Sequence, residues 1–204
     1  MDNDQVIDIL KKKYLFTEIG INKLKEFSRQ LLIYNSRYNL ISKSTEKSLW
    51  NRNILDSAQL ITYINFSIQG GIADLGSGAG FPGLVIALYN SNPKFHVKLY
   101  EKSPVKREFL VYMINKVGIN AVVRENVYSE KISSNYIVCR AFKKLKEIIK
   151  ISRENALKPH KLIILKGKNA QEEINNVSLE SNYKYKLEKS ITDDDSKIII
   201  IEAE

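Results

Sequence analysis

Three glycines at alternate positions, Gly76, Gly78 and Gly80, sit inside the run Ile72-Ala73-Asp74-Leu75-Gly76-Ser77-Gly78-Ala79-Gly80-Phe81-Pro82-Gly83. Glycine lets a backbone adopt positive φ and bring its N–H groups against a ligand where any Cβ would collide. The four residues before Gly76 are apolar apart from Asp74, which reads as a short buried strand. Pro82 suits the first turn of a helix, where its missing N–H costs nothing. Strand, glycine turn and helix in that order read as a site for a nucleotide cofactor.

Two cofactor chemistries compete for this loop. Gly78-x-Gly80-x-x-Gly83 fits the dinucleotide fingerprint, and Glu101 follows at a distance suited to ribose hydroxyls. The register opposes that reading, which would make the chain an NAD-dependent oxidoreductase. A fingerprint starting directly after the strand begins at Gly76, and its third glycine falls at position 81, which is Phe. Asp-x-Gly-x-Gly-x-Gly over 74–80 instead resembles the first motif of class I S-adenosylmethionine (SAM) methyltransferases. That resemblance implies a loop around the methionine end of a cationic ligand, with Asp74 suited to its ammonium group. A purely structural glycine turn is the remaining alternative.

The elements that must hold such a loop are legible in the periodicity. Residues 1–66 read as helical: Ile21, Leu24, Phe27, Leu31, Tyr34 and Tyr38 recur at spacings of three and four. A second stripe carries Trp50, Ile54, Ala58 and Ile61, with Arg52 and Asp56 one helical turn apart and so able to pair. Between them, residues 38–42 break the period and read as a loop. From Ile72 onward short apolar strands alternate with amphipathic helices, the pattern of a parallel sheet covered on both faces. Strands are expected at 72–75, 96–101, 121–124, 136–139 and 161–166, and helices at 82–90, 104–117 and 142–157, with Gly118 ending the second. Runs at 183–189 and 197–202, around Thr192-Asp193-Asp194-Asp195, predict a hairpin that closes the sheet edge in antiparallel fashion. The expected fold is α/β, a Rossmann-like class I parallel sheet over 67–204 with an antiparallel C-terminal hairpin and a helical extension over 1–66.

In an open parallel sheet, ligands sit beyond the carboxyl ends of the strands. Glu101 ends the second strand, where a carboxylate can accept from a ribose diol. Val127 and Tyr128 follow the third, where an adenine ring would meet backbone donors and apolar surface. The fourth strand ends Tyr136-Ile137-Val138-Cys139-Arg140-Ala141-Phe142. It lacks the Asn/Asp-Pro-Pro-aromatic run typical of enzymes that methylate exocyclic amines. Cys139 lacks the neighbouring proline of carbon-5 cytosine enzymes and reads as a small buried residue. Arg140 fits an acceptor that is anionic or offers hydrogen-bond acceptors, such as a phosphate or the O6 and N7 edge of guanine.

Composition bounds the partners. The chain has 204 residues, 44% hydrophobic, enough for one sizeable core. Its 32 Lys and Arg against 23 Asp and Glu give a net charge of +9, which favours a polyanion such as nucleic acid. The acidic start Met1-Asp2-Asn3-Asp4 leads into no apolar signal region, and the apolar runs at 109–114 and 198–201 are too short to span a bilayer. A cytoplasmic protein, with no membrane partner, is expected. One cysteine and two histidines supply neither a thiolate cluster nor a His-rich site, so no metal is expected.

At larger scale the chain resembles the RsmG (GidB) family. The residues that carry the resemblance are Asn39-Leu40 with Ser42, Ile54-Leu55-Asp56-Ser57, the Asp74–Gly83 loop, Lys106 with Phe109-Leu110, Arg140-Ala141 and Leu165-Lys166-Gly167, in family order and spacing over nearly the whole chain. The resemblance implies transfer of a methyl group from SAM to N7 of a guanosine in 16S ribosomal RNA, on naked RNA or the small subunit; a monomer is expected. It implies cofactor contacts at Gly76, Phe81, Val127, Tyr128 and Arg140. Arg140 and Lys166 would position the guanosine and its phosphates, with Lys106, Arg52 and Asn39 as further RNA contacts. N7 carries a lone pair and no proton, so no general base is needed. Five positions depart from the family pattern: Asn53 replaces a usual His, Val105 a Lys, Asn126 an Arg, Tyr128 an acid and Asn135 an Asp. These departures keep a catalytically degenerate SAM- or RNA-binding protein as the rival reading.

Overall fold

The structure is a computed structural model describing residues 1–128, 130–157, 159–177 and 183–203. Helix α1 (Asn3–Lys12) starts at a reciprocal capping box between Asp2 and Gln5. Helix α2 (Glu18–Tyr38) is capped by the Thr17 hydroxyl and ends at Asn39 in the left-handed conformation, φ +49°. The expected loop follows, and Ser42 at its end caps a short helix, α3 (Lys43–Glu46). The second amphipathic stripe is not one regular helix. It runs as a π-helical stretch (Trp50–Leu55), a single α turn, α4 (Asp56–Ala58), and a 3₁₀ stretch (Gln59–Tyr63).

The Rossmann-like part comprises β1 (Gly70–Leu75), α5 (Gly83–Tyr89), β2 (Phe95–Tyr100), α6 (Pro104–Val117), β3 (Ala121–Arg124), β4 (Tyr136–Arg140), α7 (Leu145–Asn155), β5 (His160–Lys166), α8 (Ala170–Asn175), β6 (Tyr183–Lys189) and β7 (Lys197–Ala203). Strand order is β3-β2-β1-β4-β5-β7-β6. Strands β1 to β5 pair in parallel, with β3 at the sheet edge, while β7 runs antiparallel to β5 and to β6. The expected α/β class, parallel centre and antiparallel hairpin are all present. Helix α7 begins three residues later than expected, after a bend at 141–143, and α8 was not expected at all.

Alternation along the strands divides the core between two faces. Ile72, Val97, Leu99, Val138 and Ile163 face a cluster that also contains Leu10, Leu24, Phe27, Leu31, Ile54, Leu60 and Phe109. The helical segment at the amino terminus therefore shares its apolar core with one face of the sheet. Ala73, Leu75, Ile137, Cys139, Leu162 and Ile164 face the other cluster, covered by α7 and α8 through Ile148, Ile151 and Ile174. Among the described residues no helix is long and apolar enough to cross a membrane, and no group of three or more His, Cys, Asp and Glu is placed to hold a metal.

Candidate functional site

The glycine turn is tied to the end of β2. Gly76 and Ser77 donate their N–H groups to the Tyr100 carbonyl at 2.9 and 3.0 Å. Glu101 accepts from Gly78 N at 2.8 Å and from Ser103 N at 2.8 Å, so its two oxygens hold the loop and the start of α6 together. Gly76, Gly78 and Gly80 all have positive φ, at +73°, +57° and +106°. At Gly76 the need is steric as well, since a Cβ would lie 2.4 Å from the Phe142 ring. Pro82 acts as the residue capping α5 rather than within its first turn.

In front of this loop lies a cavity of about 430 Å³, a size suited to a cofactor. Of the residues singled out in the sequence, Gly76, Gly78, Phe81, Glu101, Val127, Arg140 and Lys106 line it. Asp74 and Gly80 stand behind the wall. Asp74 is fully buried, with Oδ2 accepting from Gly83 N at 2.9 Å and Oδ1 without a partner. Burial pushes its carboxyl up to about 7. Gly80 backs onto Leu84, Phe27 and Leu110. Tyr128, in contrast, does not line the cavity: the residue is 47% exposed and its ring turns to Lys102, 5.5 Å away. Leu40, Ile41, Phe142 and Glu125 are among the other residues of the wall. The sequence offered no signal for Phe142 beyond its place after β4.

A second cavity, of about 550 Å³, adjoins the first and shares Ile41, Arg140 and Ala141 with it. Its own walls come from Ser42 and Thr45 on the amino-terminal side, Arg52 and Asp56, Lys166 and Gly167 after β5, and Thr192 and Asp193 in the β6–β7 turn. Arg140 thus stands between the two. Its guanidinium lies 5.3 Å from the centre of the Phe81 ring, Nη1 donates to the Arg52 carbonyl at 2.6 Å, and Nη1 lies 3.5 Å from Asp56 Oδ2. The expected Arg52–Asp56 pair does not form, because the π-helical stretch replaces regular α geometry and Asp56 turns to Arg140 instead. Burial pushes the Asp56 carboxyl up and the Arg140 guanidinium down, and their mutual attraction opposes both shifts. Ala141 carries φ +49°, a strained conformation for a residue with a Cβ, immediately beside the boundary of the cavities.

The remaining cations divide sharply. Lys166 reaches the second cavity, but its ammonium donates to the Lys143 carbonyl at 2.6 Å and to both Glu173 oxygens at 3.0 and 2.8 Å. A free charge at that position, as read from the sequence, is therefore replaced by an internal ion pair. Lys106 and Arg52 have side chains with no ion-pair partner among the described residues, on the first and second cavity respectively. Asn39 is exposed, ends α2 and lines neither cavity. Cys139 is buried with its thiol pushed up by desolvation, which removes it as a nucleophile.

Two cavities meeting at one arginine, one of them built on a glycine turn, is an arrangement for bringing two substrates together. The family model for rRNA small subunit methyltransferase G (GidB) matches residues 20–198. The chain belongs to this family. It is 36% identical over 200 residues to ribosomal RNA small subunit methyltransferase G of Orientia tsutsugamushi (strain Ikeda), covering 97% of this chain and 98% of that one. It is 35% identical over 173 residues to the protein of the same name from Pelagibacter ubique, covering 82% and 81%. Among solved structures, a SAM-dependent methyltransferase from Aquifex aeolicus superposes with a TM-score of 0.55 at 14% identity, over 79% of this chain and 98% of that one. That likeness establishes the class I fold. Asn135 is built into the sheet, its Oδ1 accepting from Gly71 N at 3.2 Å, and Asn126 Oδ1 accepts from Tyr128 N at 3.0 Å.

Proposed function

We propose that this chain transfers a methyl group from SAM to N7 of a guanosine in 16S ribosomal RNA. The observation that carries the reading is the pair of adjoining cavities joined at Arg140, the first floored by the Gly76–Gly80 turn. SAM fits the first cavity on the chemistry of its wall: a glycine-only backbone at Gly76, a carboxylate at Glu101 on the turn, and apolar surface from Phe81 and Val127. When bound, SAM supplies an electrophilic methyl group on a sulfonium. The acceptor guanosine would enter the second cavity, with Arg140 orienting it and Arg52 and Lys106 meeting neighbouring phosphates.

Because N7 offers a lone pair, the residues have no proton to remove. Their work is to hold two partners in line and to balance charge as the sulfonium is neutralised and the base becomes cationic. N7 lies in the deep, narrow groove of A-form RNA, so the target must sit in a loop or leave its stack to reach Arg140. A net charge of +9 favours the encounter with RNA. Given that substrate, the reaction is assigned to the cytoplasm, with a monomer meeting the small subunit.

Lys166 takes a supporting place here, shaping the wall through Glu173 rather than contacting phosphate. Asp74 holds the turn against α5 from behind the cavity wall. Cofactor binding without turnover is the second reading, favoured by Tyr128 pointing its ring at Lys102 where a carboxylate is usual. Small subunits lacking the modification, incubated with radiolabelled SAM and digested to nucleosides, separate the two. Label in 7-methylguanosine that is lost with Arg140→Ala supports methyl transfer. Demonstrable SAM binding without label leaves the binding protein.

A further inference from the structure

Asp56 lies where the amino-terminal helices, the end of β4 and the β6–β7 turn converge. Its Oδ1 accepts from Gln59 Nε2 at 2.7 Å, Thr192 Oγ1 at 2.8 Å and Ser190 Oγ at 3.3 Å. Gln59 Nε2 also reaches Ser190 Oγ at 3.0 Å, and its Oε1 accepts from Ile191 N at 3.1 Å. The net is closed and largely buried: Gln59 is 3% exposed and Ser190 7%. Three neutral donors thus fix one oxygen and leave Oδ2 for Arg140.

Arg140 is a long, flexible side chain at the boundary of both cavities. Its Nη1 is held by Asp56 and by the Arg52 carbonyl, its face by Phe81, while Nε and Nη2 make no hydrogen bond among the described residues. We infer that Asp56 is a positioning residue: clamped by Gln59, Ser190 and Thr192, it anchors one edge of the Arg140 guanidinium so that the other edge faces the acceptor base. The inference rests on the proposed role of Arg140. It makes the β6–β7 turn, far in sequence from the glycine loop, part of the acceptor site. A mere staple between helix and hairpin would need only the hydrogen bonds, which an amide at position 56 could largely keep. An anchor for a guanidinium needs the charge.

Asp56→Asn separates these. With subunits as substrate and SAM saturating, kcat/KM should fall about 10- to 100-fold, the range for a misplaced orienting group. On an Arg140→Lys background the same change should add less than about 2-fold, since two residues acting through one contact are not additive. A nitrogen-15 spectrum of the arginine side chains provides a readout independent of turnover. Wild type should show one slowly rotating guanidinium, assigned by its loss in Arg140→Lys, and Asp56→Asn should abolish it. Wild-type rate and an intact signal in Asp56→Asn, or a loss that multiplies in full on Arg140→Lys, would overturn the inference. If Asp56→Asn does not fold, Thr192→Val, which keeps the charge and removes one clamp, enters the same cycle with the same criteria. An inactive wild type whose Arg140 signal still depends on Asp56 would defeat the proposed function and leave the anchor standing.

Discussion

Asp74 and Gly83, nine residues apart in the chain, meet at 2.9 Å, the carboxylate of the strand end accepting the first N–H of α5. The contact exists because position 83 has no side chain: a Cβ there would lie 2.5 Å from Asp74 Oδ2 and 2.4 Å from Leu99 Cδ2. Alanine is the better helix former by about 1 kcal/mol, yet overpacking of this kind costs about 1–3 kcal/mol and also pushes the carboxylate off its donor. Gly83→Ala should therefore lower the melting temperature by several degrees, at roughly 2–4 °C per kcal/mol for a chain of this size. An unchanged or raised melting temperature would mean that α5 can slide to make room.

The same carboxylate gives the fold a pH dependence. Burial raises Asp74 from 3.8 to about 7. Between those values the folded protein keeps a proton that the unfolded chain releases, so rising pH favours unfolding. The contribution is full below about pH 4, falls progressively and is gone above about pH 7. Asparagine does not titrate, so the stability of Asp74→Asn relative to wild type should climb across that window by a few kcal/mol, on the order expected for a shift of this size. Urea melts of both proteins at pH 4.5 and 8 test it. A difference that stays constant with pH would mean that Asp74 ionises normally in the folded state.

Gly76 answers to both backbone and ring. Its φ of +73° costs a residue with a Cβ about 1–2 kcal/mol, and the new methyl would drive the Phe142 ring toward the cofactor cavity. Gly76→Ala should weaken SAM binding about tenfold or more by calorimetry, a change equivalent to roughly 1.4 kcal/mol. Gly118→Ala supplies the control. It has the same strain at φ +58° with open space around it, ending α6 away from both cavities, so stability should drop while SAM affinity holds.

The contrast explains what the sequence could and could not tell. The turn at 74–83, the five parallel strands and the hairpin follow from local patterns, because glycine spacing and alternation are properties of consecutive residues. Arg140 was legible for the same reason, as the residue at the carboxyl end of a strand. Its partner was not. Asp56 is four residues after Arg52, and regular helical spacing pairs those two, but the π-helical stretch turns Asp56 to a residue 84 positions away. Helix α8 went unread because it buries only Ala170 and Ile174. Lys166 looked like a free cation because nothing nearby in sequence announces Glu173 folding back onto it.

That last correction can be measured against Lys106. The Lys166 side chain is 13% exposed and its ammonium bonded to Glu173, whose own side chain is 24% exposed. Removing it leaves a partly buried carboxylate without its cation, worth about 1–3 kcal/mol once the remaining solvent is allowed for. Lys166→Ala should therefore lower stability. The salt dependence of RNA binding should hardly move, because a charge already neutralised inside the protein releases few counterions. Lys106 is the opposite case, half-buried on the wall of the first cavity with no partner among the described residues. Lys106→Ala should change stability by less than about 0.5 kcal/mol and reduce the slope of log affinity against log salt by about 1, as loss of one phosphate contact does. Filter binding to ribosomal RNA at several salt concentrations, alongside thermal melts, reads both quantities. If Lys166→Ala flattens the salt slope and Lys106→Ala does not, the Glu173 pair opens on RNA and Lys166 is the cation that meets the phosphate.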